Sequence, residues 1–253
     1  MSLYIEQQGA GPDMVLVHGW GMHGGVWGDL TGLLAEHYRV TSIDLPGHGR
    51  SRLLSGPYDL ERLADFVAQR VPGPAVWLGW SLGGLIAMTI ALRHPRQVDR
   101  LVLVNATPRF VQGPGWSGVM SPALLTQFTE ELAQDYRATL LRFLSLQIGM
   151  DAADRALLRI LRSEMFRHGE PDPQALIAGL AILRDADLRE ALPRITCPTL
   201  IVHGQRDRLA SSGAADYLQK HLGAAQLARM NTAGHAPFLS HPEPFRELLR
   251  DFL

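Results

Sequence analysis

The chain has 253 residues and a formal net charge of -1, with 46% hydrophobic and 19% charged residues, a balance that supplies a packed core and excludes a disordered chain. The near-neutral charge argues against nonspecific binding to nucleic acid or a membrane surface, and the single cysteine, Cys197, excludes an internal disulfide framework and any multi-cysteine metal site. No apolar run approaches the ~18 residues of a membrane span, and Met1 to Gly11 is short and polar-mixed with no secretory pattern, so a cytoplasmic globular protein is expected.

In chain order, short apolar runs alternate with longer helical patterns. Met14–Val17 reads as a strand ending at His18-Gly19, and Val40–Ile43 as another ending at Asp44. Ala75–Leu78 leads into Gly79, Leu101–Val104 into Asn105, and Thr199–Val202 into His203-Gly204, with a weaker strand over Gln226–Met230. These runs lack clean alternation, as expected of parallel strands buried on both faces. Helical patterns fall at Trp27–Glu36, Asp59–Arg70, Leu82–His94, Ser211–Leu222 and Pro242–Leu253. This alternation predicts a doubly wound α/β sheet, whose ligands sit at the carboxyl ends of the strands. The rhythm breaks over 110–187. That stretch opens with the loop Gln112–Gly118 and carries helical patterns at Pro122–Gln134, Arg137–Gln147, Asp151–Arg167 and Asp172–Arg184. An all-helical insert between two strands reads as a cap over the active face, with 1–109 and 188–253 forming the core.

Gly79-Trp80-Ser81-Leu82-Gly83 matches Gly-x-Ser-x-Gly between an apolar run and a helix. A sharp strand-to-helix turn leaves room only for small flanking residues and lifts the serine oxygen above the sheet, beside a helix N-terminus that favours negative charge. Ser81 is therefore the candidate nucleophile. A serine hydroxyl needs a base, and the base an orienting carboxylate, in the chain order Ser, Asp or Glu, His. Of the histidines after Ser81, His235 stands in a loop between the last strand and the last helix, on the active face. His94, His168, His203, His221 and His241 read as structural or solvated. Asp207, just past the strand 199–202, is the candidate carboxylate; its rivals Asp185 and Asp187 fall in a helical context. The turn His18-Gly19-Trp20-Gly21 and the nucleophile helix would supply oxyanion donors, the backbone N–H groups of Trp20 and Leu82. Asp44-Leu45-Pro46-Gly47-His48-Gly49-Arg50-Ser51 reads as a structural turn, with Asp44 hydrogen-bonded locally.

Together, HGWG (18–21), DLPGHGRS (44–51), GWSLGG (79–84), HGQRD (203–207) and GHAPF (234–238) resemble an α/β-hydrolase over the whole chain. The tryptophan before the nucleophile, Arg142-Phe143-Leu144-Ser145-Leu146-Gln147 and His235–Pro242 narrow the resemblance to the pimeloyl-acyl-carrier-protein methyl ester esterases of biotin synthesis. That resemblance implies hydrolysis of a methyl ester on an acyl-carrier protein without metal or organic cofactor. A monomer is expected, and the near-neutral charge leaves neither nucleic acid nor membrane as an expected partner. It implies a substrate pocket lined by Trp20, Ser81, Leu82, Phe143, Gln147 and His235, and carrier-protein docking by Arg142, Arg155 and Arg159. A further family arginine falls on Ala138 here, beside Arg137. The charge pattern agrees, because 137–167 holds six arginines against Asp151, Asp154 and Glu164, and Arg155, Arg159 and Arg162 share a helical face. The competing readings are a generalist small-ester esterase or lactonase, which needs no arginine face, and a noncatalytic binding protein on the same fold, which predicts a damaged triad. A dehalogenase would need a carboxylate at position 81, and an oxidoreductase a dinucleotide fingerprint.

Overall fold

A computed structural model describes residues 2–71, 73–116, 120–146 and 152–253. Among them, seven strands form one sheet in the order β1-β3-β2-β4-β5-β6-β7. β2 (Asp13–Val17), β3 (Arg39–Asp44), β4 (Ala75–Trp80), β5 (Val98–Val104), β6 (Thr199–Gly204) and β7 (Ala225–Met230) run parallel, each covering its expected run. β4 and β6 are buried end to end, which is why their sequences carry no polar alternation.

β1 (Tyr4–Gln8) was not expected. It pairs antiparallel with β3, Tyr4 opposite Asp44 and Gln8 opposite Val40. Its Glu6, Gln7 and Gln8 are all exposed, so as an edge strand it lacks the apolar run that marks the others. The expected helix over Trp27–Glu36 is split. Gly28 has φ +49, and α1 spans only Asp29–Leu34 behind a short 3-10 turn at Gly24–Trp27.

α2 (Leu60–Ala68) and α8 (Ser212–His221) are each capped by the residue before them: Asp59 Oδ1 accepts the Arg62 N–H at 2.8 Å, and Ser211 Oγ that of Ala214 at 3.2 Å. α3 (Leu82–Arg93) is buried on all sides from Leu82 to Ala91. Its uniformly apolar sequence suits a helix wedged between the sheet and α2.

Between β5 and β6 lie α4 (Pro122–Gln134), α5 (Tyr136–Leu146), α6 (Ala152–Met165) and α7 (Pro173–Asp185). They are tied to the core by Asp172 N–H to Gly47 O at 2.7 Å and by the His23 ring to Glu164 O at 2.6 Å. The chain closes with the short α9 (Pro237–Ser240) and α10 (Pro242–Phe252), whose Phe245, Leu249 and Phe252 face the core. Among the described residues no helix is long and apolar enough to cross a membrane.

Candidate active site

The sheet reverses its winding between β2 and β4, where Val17 pairs with Gly79. That switch point is where doubly wound sheets leave a crevice at their carboxyl ends. Ser81 stands there, directly after β4, with φ +55 and ψ -117. A non-glycine residue in this region costs on the order of 1–3 kcal/mol. The turn is held by Ser81 N–H to Val104 O at 3.0 Å and Gly84 N–H to Ser81 O at 2.9 Å. The flanking glycines are steric necessities: a Cβ on Gly79 would stand 2.3 Å from Gly83 O, and one on Gly83 2.1 Å from Val17 O.

His235 and Asp207 meet, although they come from different loops. His235 Nδ1 lies 2.8 Å from Asp207 Oδ2, with the two side chains only 2% and 0% exposed. Asp207 Oδ1 accepts the backbone N–H groups of Leu209 at 2.8 Å and Ala210 at 3.3 Å. With the carboxylate fixed from behind, Nδ1 of the imidazole carries the proton and Nε2 is left as the acceptor. The Trp80 indole N–H donates to His235 O at 2.7 Å, so the tryptophan beside the nucleophile also holds the main chain of the base. The sequence marks Trp80 as distinctive without showing this reach of 155 residues.

The His18–Gly21 turn packs against the same point: a Cβ on Gly19 would meet Ser81 Cβ at 3.3 Å and Trp80 Cε3 at 3.1 Å. The Trp20 indole donates to Leu176 O of α7 at 2.9 Å and lies edge-on to Phe143 of α5, 4.6 Å between ring centroids. Phe143 in turn packs on Phe128 at 5.4 Å. Trp20, Ser81, Leu82, Phe143 and His235 are all buried. Gln147 lies outside the described residues.

The structural turn behaves as its sequence suggests. Asp44 accepts the N–H of Gly24 at 2.8 Å and both the N–H and Nε of Arg50 at 2.9 Å. Burial alone would raise its carboxyl, but the Arg50 guanidinium and these donors outweigh it and hold the group below the usual range. His18 accepts the Leu45 N–H on Nε2 at 2.9 Å, so Nδ1 donates to Gly19 O. Burial, reinforced by His48, drives its pKa down to about 3, and burial takes His48 to about 4. The rival carboxylates are occupied elsewhere: Asp187 binds Arg189 and Arg109, and Asp185 binds Arg184.

Of the arginines singled out, Arg142 is exposed but pairs with Glu131 of α4 and lies over the Phe128 ring. Arg155, Arg159 and Arg162 all lie on the exposed face of α6, with Arg162 reaching Ser145 Oγ at 3.3 Å. Arg137 pairs with Glu170 beside Ala138. The Arg206 and Arg208 side chains flanking Asp207 are exposed.

A strained serine at a strand-to-helix turn, and a carboxylate-backed histidine whose main chain is held by the tryptophan before that serine, point to a class. Residues 14–248 match the model of the Alpha/beta hydrolase family. An esterase from Exiguobacterium antarcticum superposes with a TM-score of 0.91 at 28% identity, over 99% of this chain and 94% of that one. Two relatives are named pimeloyl-acyl-carrier-protein methyl ester esterase. The one from Nitrosomonas europaea is 44% identical over 96% of each chain, and that from Xanthomonas oryzae pv. oryzae is 46% identical over 99% of this chain and 98% of the other. The chain belongs to the alpha/beta hydrolase family and, within it, to the pimeloyl-acyl-carrier-protein methyl ester esterases.

Proposed function

We propose that the chain is a serine carboxylesterase of biotin synthesis that hydrolyses the methyl ester of pimeloyl-acyl-carrier protein, releasing methanol and the free ω-carboxylate. The observation that carries the reading is the buried 2.8 Å bond from His235 to Asp207 behind the strained Ser81 turn. His235 Nε2 takes the Ser81 Oγ proton as the oxygen attacks the ester carbonyl, and the N–H groups of Trp20 and Leu82 receive the oxyanion. The imidazolium then protonates the departing methoxide. Water, deprotonated by the same nitrogen, attacks the acyl-enzyme, and collapse of the second tetrahedral species frees Ser81 and the carboxylate.

In this reading 110–187 is the cap over a core of 1–109 and 188–253. The apolar side chains of Trp20, Leu82 and Phe143 receive the pimeloyl chain, together with Gln147 on the ground of family resemblance. The exposed arginines of α6, Arg155 and Arg159, dock the acidic carrier protein, together with Arg142 on α5. A generalist small-ester hydrolase is favoured by one observation, that Arg142 already answers Glu131 within the cap.

The double variant Arg155→Glu with Arg159→Glu separates the two. Charge reversal at a steered interface lowers kcat/KM for the carrier-borne ester about tenfold or more, an effect that shrinks with added salt. Hydrolysis of p-nitrophenyl butyrate, which does not touch that face, stays near wild type. Unchanged turnover of both substrates makes the cap face ordinary surface and the generalist the better reading. Equal losses on both mean that the arginines hold the cap together.

A further inference from the structure

Asp207 and His235 come from two separate connections, the turn after β6 and the loop after β7, so their alignment depends on how the two are joined. Asn105, at the end of β5, belongs to neither. It is buried and has φ +44, a conformation that asparagine tolerates better than most residues with a Cβ. Its side-chain amide bridges the two connections. Oδ1 accepts the Gly204 N–H at 2.8 Å, at the start of the Asp207 turn, and Nδ2 donates to Gly234 O at 2.8 Å, one residue before His235. One partner is a backbone donor and the other a backbone acceptor, so a single orientation of the amide satisfies both. The clasp is tight. A Cβ on Gly204 would stand 2.2 Å from Gly234 O, and the Arg206 N–H reaches Ala233 O at 3.0 Å.

We propose that Asn105 is a positioning residue for the esterase reaction, holding the Asp207 turn and the His235 loop in the register that aligns carboxylate and imidazole. The inference rests on the triad reading above. The residue type fits the task. A glycine would accept the backbone angle but leave a buried N–H and a buried C=O unmet. An ionised aspartate would turn an oxygen toward the Gly234 carbonyl.

The test compares Asn105→Gly, which relaxes the backbone, with the isosteric Asn105→Asp. Turnover of p-nitrophenyl butyrate is measured per titrated active site, and the low-field proton of the His235–Asp207 bond is followed by NMR. Both variants are expected to lose about tenfold or more in kcat, with KM within about twofold of wild type, because misalignment acts on the proton transfer and not on substrate capture. The low-field resonance is expected to shift or broaden. Wild-type kcat with an unmoved resonance in either folded variant overturns the proposal. So does a loss that only tracks the number of titratable sites, which marks a residue needed for folding alone. Should the glycine variant not fold, the aspartate variant, which keeps the side-chain shape, decides alone; if it too fails to fold, Asn105 is a folding residue and the proposal falls. His235→Gln tests the underlying reading separately: retained activity and a retained resonance there remove the triad, whatever Asn105 does.

Discussion

Asp207 uses both of its oxygens, and the division of labour sets the protonation of the base. Oδ1 is held by two backbone N–H groups and Oδ2 faces His235, so the carboxylate cannot rotate away. In Asp207→Asn the amide keeps its oxygen on those donors and turns NH2 toward Nδ1. That forces the proton onto Nε2 and removes the base. Activity on p-nitrophenyl butyrate is expected to fall by about 10⁴ with the melting temperature little changed, as for the same substitution in other triads; a loss below tenfold contradicts the assignment. The strained Ser81 turn and the Asp207–His235 pair were legible because each residue sits in a short motif at a strand end. Asn105 was not. It reads as the polar residue that ends an apolar run, and its amide partners lie 99 and 129 residues further along the chain. Gln147, by contrast, rests on family resemblance alone.

At the scale of elements, the parallel strands were legible because burial on both faces writes itself as unbroken apolar runs. The edge strand β1 escaped because one polar side faces solvent, and the split before α1 because a single glycine, Gly28, turns the chain. The insert's helices were legible from their periodicity, yet their coupling to the site was not. α7 meets the His18–Gly21 turn through Gly179, where a Cβ would stand 2.6 Å from Trp20 Cδ1. The indole cannot retreat, being bonded to Leu176 O and packed on Phe143. In Gly179→Ala, overpacking costs about 1–3 kcal/mol against a gain in helix propensity of about 1 kcal/mol, so a small net destabilisation is expected. The larger effect falls on catalysis. Displacing Trp20 moves its N–H, and kcat is expected to drop about tenfold or more. A variant with full kcat would mean that the Trp20 backbone is not an oxyanion donor.

Across the whole molecule, the net charge of -1 hides a cluster of buried, neutral histidines beside the site. His18 and His48 titrate at about 3 and about 4 when folded, and burial also lowers His23 and His203. The unfolded chain takes up these protons near ~6.5, so between that pH and the folded values the unfolded state binds more protons. Stability therefore falls on acidification, by about 1.4 kcal/mol per pH unit for each histidine still neutral in the fold. Asp44, held low by Arg50 against its burial, extends the decline to more acidic pH. Denaturation midpoints measured from pH 7 to 4 are expected to fall steadily, and a flat curve would show these rings to be solvated. The proposed function joins Ser81, Asp207 and His235 to a carrier-borne ester. It is tested most directly by the intact mass of methyl-pimeloyl-acyl-carrier protein incubated with wild-type enzyme and with Ser81→Ala. The wild type is expected to remove one methyl group, leaving the carboxylic acid on the carrier, and the variant to be slower by on the order of 10⁶. Demethylation by Ser81→Ala at more than about a hundredth of the wild-type rate, or none by the wild type, would contradict the account.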